Sequence, residues 1–424
     1  MSTVALTAII SSATTLSAAS KGIDIKTTGQ SVVYYNTANA GSNDLFDQAG
    51  SKANFGIQLN LNADLQNDFS FGSQINYLGT LGLEKNLVKG VMQSTNGTVS
   101  EDNIADDIYL SKLYIAKKIA NTTLKLGRQE LPKSLSPFAY SESWNVFKNT
   151  FDAALIINSD IPDTTLVGAY VGKGNGNGFG NDMSSFTDLV VRTGAGKTSV
   201  AGTAYMLTIQ NKSIPMTTLT GSYYKLSKVD GGTPDLVPNE DIGADVFWLD
   251  AKLADKSLPL GLKAAVQLGD MAPDSKLGAV ELDDTFAAGA KLSMVPVENL
   301  DLVGAFTYVD GTDDKTNVAI KNTTGVKTPL YSQMIANQEA IALDASTFFG
   351  KVAYKVDGIG KFIAQGTYTS AGKSNLLGEH DNGEADLIFK TKVSGVNLLA
   401  AYVYNHTESK DAVSIARIVA RYNF

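Results

Sequence analysis

Two histidines, His380 and His406, are the only imidazoles among 424 residues, and the chain has no cysteine. A Ser-His or acid-His relay needs its groups within hydrogen-bond reach, yet both histidines fall in predicted loops far apart in the chain. Without thiols, disulfide frameworks, zinc clusters and cysteine nucleophiles are excluded. The glycine run 172–180 contains Gly-x-Gly spacings, but no strand and helix flank it as a dinucleotide site requires, so it reads as a loop. No catalytic group, cofactor site or metal site is expected, and the chain does not read as an enzyme. What remains is a set of cations spread along alternating segments: Lys26, Lys112, Lys125, Lys263, Lys291, Lys351, Lys390, Arg417 and Arg421. Such groups act by their field on whatever passes a wetted surface.

The elements that position them are long and alternate with period two. Residues 53–65 place Ala53, Phe55, Ile57, Leu59, Leu61, Ala63 and Leu65 on one face and Asn54, Gly56, Gln58, Asn60, Asn62 and Asp64 on the other. Thirteen alternating residues exceed the 5 to 6 of an average soluble strand and suit one tilted across a bilayer, which needs about 9 to 11. Gln66-Asn67-Asp68 is a tight turn, and alternation resumes at Phe69, Phe71, Ile75 and Tyr77. The unit recurs to the C-terminus. Short turns near 118–121, 159–164, 211–216, 254–259, 295–299, 356–360 and 393–395 alternate with long polar segments at 36–52, 78–106, 132–150, 172–198, 227–243, 271–283, 310–346, 370–383 and 406–411. No stretch approaches the roughly 20 apolar residues of a membrane helix. A chain spanning a membrane without such helices does so as a closed barrel, the only other way to pair every backbone group in lipid. The fold class read here is all-β: a transmembrane antiparallel β-barrel of about 18 strands, with short periplasmic turns and long extracellular loops.

Composition agrees. The mean hydropathy of −0.03 fits lipid-facing and water-facing residues that cancel. A net charge of −8 lacks the basic footprint that nucleic acid demands. Residues 1–20 read as a secretory signal peptide, with the apolar run 4–10, cleavage after Ala19 or a neighbour, and no Lys or Arg ahead of the run. Residues 21–424 are then the barrel. Loop acids include Asp235, Glu240, Asp241, Asp313 and Asp314.

With apolar faces outward, all nine cations point into the lumen, and Tyr114 and Asp152 share their side. A cation facing lipid at the midplane would cost about 2 to 4 kcal/mol. Arg128 has the parity of Leu124 and Leu126, so it either lies beyond the lipid band or follows a bulge that turns it inward. The inward bases are read equally as a basic track for solutes and as partners for inward acids such as Asp24, Asp64, Asp301, Glu384 and Asp386.

The chain ends on an amphipathic strand whose apolar face is Ala416, Ile418, Ala420, Tyr422 and Phe424. The terminal Phe424 with Tyr422 two before it resembles the assembly signal of outer-membrane barrels, which implies the barrel assembly machinery as a partner. Residues 110–115 (Leu-Ser-Lys-Leu-Tyr-Ile), a turn, and 123–131 (Thr-Leu-Lys-Leu-Gly-Arg-Gln-Glu-Leu) resemble the hairpin before the constriction loop in OprD-like porins. The epsilon-proteobacterial major outer membrane protein porins are the closer match. This resemblance implies about eighteen strands, assembly as homotrimers in outer-membrane lipid, and a third long loop folded into the lumen, here 132–150. Lys133, Tyr140, Glu142, Trp144 and Lys148 are then the constriction candidates. It also implies passive diffusion of small hydrophilic solutes and ions, with small organic acids or amino acids as the narrower option. The alternative is a barrel acting as adhesin or surface antigen through its loops.

Overall fold

Period-two alternation and the need to pair every backbone group produce one closed antiparallel sheet. The computed structural model describes residues 23–95, 107–176, 181–194, 199–227, 243–255, 257–274, 276–277, 280–313 and 315–424. The expected signal peptide, Gly178 and Gly180 of the glycine run, and the loop acids Asp235, Glu240, Asp241 and Asp314 lie outside these residues.

The wall begins with β1 (Asp24–Ala38), β2 (Ser51–Gln66), β3 (Phe69–Gly79), β4 (Asp107–Ile119), β5 (Thr122–Gln129) and β6 (Phe151–Asn158). It continues with β7 (Thr164–Gly174), β8 (Ser199–Asn211), β9 (Thr217–Ser227), β10 (Ala244–Ala254), β11 (Lys263–Pro273) and β12 (Thr285–Met294). It ends with β13 (Leu300–Val309), β14 (Ala345–Val356), β15 (Gly360–Ala371), β16 (His380–Val393), β17 (Val396–Thr407) and β18 (Val413–Asn423). Each strand pairs with the next, and β18 returns to β1 with Val419 opposite Tyr34, so these eighteen strands leave no edge. Both histidines, expected in loops, are strand residues: His380 opens β16 and His406 lies near the end of β17.

Short turns gather at one end. Between β2 and β3, Gln66, Asn67 and Asp68 all adopt left-handed backbone, which Asn and Asp tolerate because their short polar side chains bond locally. Loops gather at the other end. The outer surface between is a belt of exposed apolar side chains, among them Leu113, Leu126, Ile156, Leu207, Leu249, Leu292, Leu387 and Ile418. A water-soluble surface does not carry so continuous a belt, whereas acyl chains solvate it. Aromatics border it. Tyr170 and Tyr205, with ring centroids 5.4 Å apart, lie toward the loop end, and Phe362 and Phe389, 4.8 Å apart, toward the turn end.

The interior is not uniformly polar. In the loop-side half, inward positions include Val171, Ala204, Met206, Tyr224, Leu226, Val246, Trp248 and Met271, all buried against residues from loops that enter the barrel. Those loops position the site.

Candidate functional site

The segment after β5, which contains the expected constriction loop 132–150, packs against inward-facing residues of the wall. Its hold on one wall is aromatic: Phe138 meets Tyr224 and Trp248 edge-on, with centroids 5.6 and 5.3 Å away. Phe147 holds the opposite wall, where Gly56 provides the room: a Cβ there would come within 2.7 Å of the Phe147 ring. Gln93 of the second loop then closes a two-way amide clasp, donating to Phe147 O at 2.9 Å and accepting from Phe147 N at 2.8 Å. The loop thus spans the lumen from β9 and β10 to β2.

A second inward loop, 310–344, was not expected. Val318, Ile320, Leu330 and Ile341 are buried in the same core as Phe138. Glu384 of β16 accepts Ile335 N and Ala336 N, both at 2.9 Å, and Tyr331 OH donates to Asp250 of β10 at 2.7 Å. Asn337 bonds Thr367 of β15 at 3.3 Å. The two loops meet along a seam where Tyr140 OH and Lys133 Nζ both donate to Thr328 O, at 2.9 and 3.2 Å, and Thr323 N donates to Phe138 O at 2.6 Å. Lys327, also at this seam, is almost fully buried, and burial pushes its ammonium down to about 8, with the Glu142 carboxylate opposing.

The remaining expected residues divide by what they touch. Lys112, on the inner face of β4, and Lys148 of the third loop both contact Glu130, at 2.5 and 2.7 Å. Lys125 lies 3.7 Å above the Tyr114 ring, and Lys291 lies 5.5 Å from the Tyr331 ring. Lys351 stands opposite Val303 and Gln365 on the inward side of β14. Arg417 donates to Asn36 Oδ1 at 3.1 Å and lies over the Tyr34 ring. Arg421 donates to Gln30 and to Val146 O at 3.1 Å. Both arginines therefore reach inward, Arg421 as an anchor of the third loop. Tyr422 and Phe424 face the other way, stacked at 6.3 Å, with the Phe424 ring against Gly29.

Arg128 and Asp152 depart from the expected luminal set. They stand opposite each other on β5 and β6 and form a two-pronged pair at 2.8 and 3.2 Å. Their neighbours of the same parity, Leu126 and Ile156, are exposed on the outer belt, so this pair faces outward, with the Phe186 ring over the guanidinium at 3.3 Å. Parity misled at Asp152 because β6 is apolar on both faces: Phe151, Ala153 and Leu155 are buried inside while Ile156 is exposed outside.

Two cavities flank the third loop. One, of about 760 Å³, is lined by Gln30, Gln58, Asn60, Gln74, Lys112, Glu130, Lys148 and Arg421. The other, of about 530 Å³, lies between Trp144 and the wall carrying Lys390, Lys392, Asn397 and Arg417.

No protein-family model and no curated protein sequence matches this chain. Solved structures do. Pseudomonas aeruginosa OccK8 (OprE) matches with a TM-score of 0.72 at 15% identity, over 94% of this chain and 98% of that one. Pseudomonas aeruginosa OccK1 (OpdK) gives 0.71 at 12%, again over 94% and 98%. Acinetobacter baumannii OccAB2 gives 0.69 at 16% over the same shares. The chain thus shares the closed-barrel fold of these outer-membrane proteins. That fold is of the OprD type.

Proposed function

We propose that this chain is an outer-membrane porin that lets small hydrophilic solutes and ions diffuse through a lumen narrowed by loops 130–150 and 310–344. The observation that carries the reading is the pairing of an apolar outer belt with a charged interior whose section is reduced by two buried loops. Lys112, Tyr114, Lys125, Lys133, Glu142, Lys148, Lys291, Lys351, Arg417 and Arg421 line the proposed path. Along β10 to β15 the inward cations Lys252, Lys263, Lys291, Lys351 and Lys361 face only two inward acids, Asp250 and Asp301. That excess favours anions, including small organic acids and amino acids; a structure of Pseudomonas aeruginosa OpdK carries vanillate. The Tyr422-Phe424 terminus is proposed as the signal for the barrel assembly machinery, and homotrimers as the assembled form.

Planar-bilayer recording tests the reading. Stable ohmic steps are expected, with a reversal potential in a salt gradient on the anion side. A correctly folded, heat-modifiable protein that gives no steps would remove it.

A further inference from the structure

The lumen has two chemically different walls. Opposite the lysines of β10 to β15, the inward faces of β1, β2 and β3 carry carboxamides: Gln30, Gln58, Asn60, Gln74 and Asn76. In register, Gln30 stands beside Gln58 and Gln58 beside Asn76, while Asn60 stands beside Gln74. Strand geometry makes this a grid, with about 4.8 Å between strands and nearly 7 Å between successive inward side chains. Direct bonds stiffen it. Gln30 Nε2 donates to Gln58 Oε1 at 2.6 Å, Gln74 Nε2 to Asn60 Oδ1 at 2.5 Å, and Ser111 Oγ to Gln74 Oε1 at 2.7 Å.

Four of these amides line the cavity of about 760 Å³, a volume within the range of small-molecule sites. The ions at its edge are already engaged: Lys112 and Lys148 with Glu130, and Arg421 with Gln30 and the carbonyls of the third loop. A carboxamide has two donor hydrogens and an acceptor oxygen with two lone pairs, so each side chain in the row keeps capacity after these bonds. A hydroxyl is likewise donor and acceptor and carries no charge to desolvate. A charged solute would give up more hydration than amides return.

We propose that the amide wall of β1 to β3 is a binding site for uncharged, hydroxyl-rich solutes of the saccharide and polyol class. It is separate from the lysine wall that favours anions. This rests on the channel reading only for the route by which the solute arrives.

The test uses sucrose as the probe on the full barrel, with polyethylene glycol of similar hydrodynamic size as the control. In single-channel recording, sucrose should lower the conductance along a saturating curve, while the polymer lowers it without saturation. Calorimetric titration of the detergent-solubilised barrel should give a binding heat. The double variant Gln58→Leu, Asn60→Leu should weaken the sucrose half-saturation by about tenfold or more, the scale of one or two lost hydrogen bonds. Its reversal potential should not move. The variant Lys351→Gln, Lys390→Gln should do the reverse. A sucrose effect that matches the polymer, or an amide double variant with unaltered half-saturation, would overturn the site. Should the amide variant misfold, Gln74→Met read by calorimetry replaces it. A barrel that binds sucrose by calorimetry but opens no conductance steps supports the site and counts against the channel.

Discussion

Among single residues, Lys327 is the one the sequence did not point to. It lies in a polar stretch, and only the inward fold of loop 310–344 buries it beside the seam with Glu142 nearby. Because burial lowers its pKa to about 8, its charge is present below that value and fades above it. Raising the pH from about 7 to about 9 should therefore move the reversal potential toward cations. Burial lowers Lys133, across the seam, to about 8 as well, so Lys327→Gln and Lys133→Gln together should flatten that response; an equal pH shift in the double variant would place the titrating group elsewhere. Arg417 and Arg421 were legible as inward cations because they oppose Ile418, Ala420 and Tyr422. Their engagement was not, since Asn36, Gln30 and Val146 come from distant segments. Asp152 shows the limit of parity, which assigns a face only when one face is apolar, whereas β6 is apolar on both; Arg128 on β5 does share the outward side of Leu124 and Leu126.

For whole elements, the hairpins followed directly from alternation and turn chemistry. The thirteen-residue run at 53–65 lies inside β2, and the turn at 66–68 falls where Asn and Asp take left-handed backbone. The inward path of loop 310–344 carries no such period. Its apolar residues are irregularly spaced, and what buries them is the apolar inner face of β7 to β11, itself at odds with a purely polar lumen. The two loops brace each other through Thr328, Thr323 and Phe138. Shortening loop 130–150 should raise single-channel conductance, and so should removing residues 326–338 alone, each by roughly twofold or more if the seam sets the narrowest section. An unchanged conductance in either folded deletion would place the constriction outside that seam. Phe138→Ala empties the contact with Tyr224 and Trp248, a truncation worth about 3 to 5 kcal/mol in a packed core. It should make the current noisy rather than uniformly larger, because the loop stays tethered by Phe147.

At the scale of the molecule, closure depends on β18 meeting β1. Gly29 and Phe424 exchange both backbone bonds, at 2.7 and 2.9 Å, and the Phe424 ring covers Gly29. Deleting Phe424 should leave the chain unfolded in the periplasm; normal heat-modifiable protein in the outer membrane would refute this. The inward course of loop 310–344 has a consequence for what lies outside the cell. A segment of that length would ordinarily be the part most visible to antibodies and phage, yet its side chains are largely withdrawn behind the rim. The exposed face is therefore narrower than the length of that loop suggests, and shorter loops such as 39–50, where Gly41 and Phe46 are exposed, make up more of it. A peptide tag inserted at Gly41 should be labelled on intact cells, whereas the same tag at Gly325 should stay dark until the barrel is denatured. Equal labelling at both positions would mean that the longer loop spends its time outside the barrel.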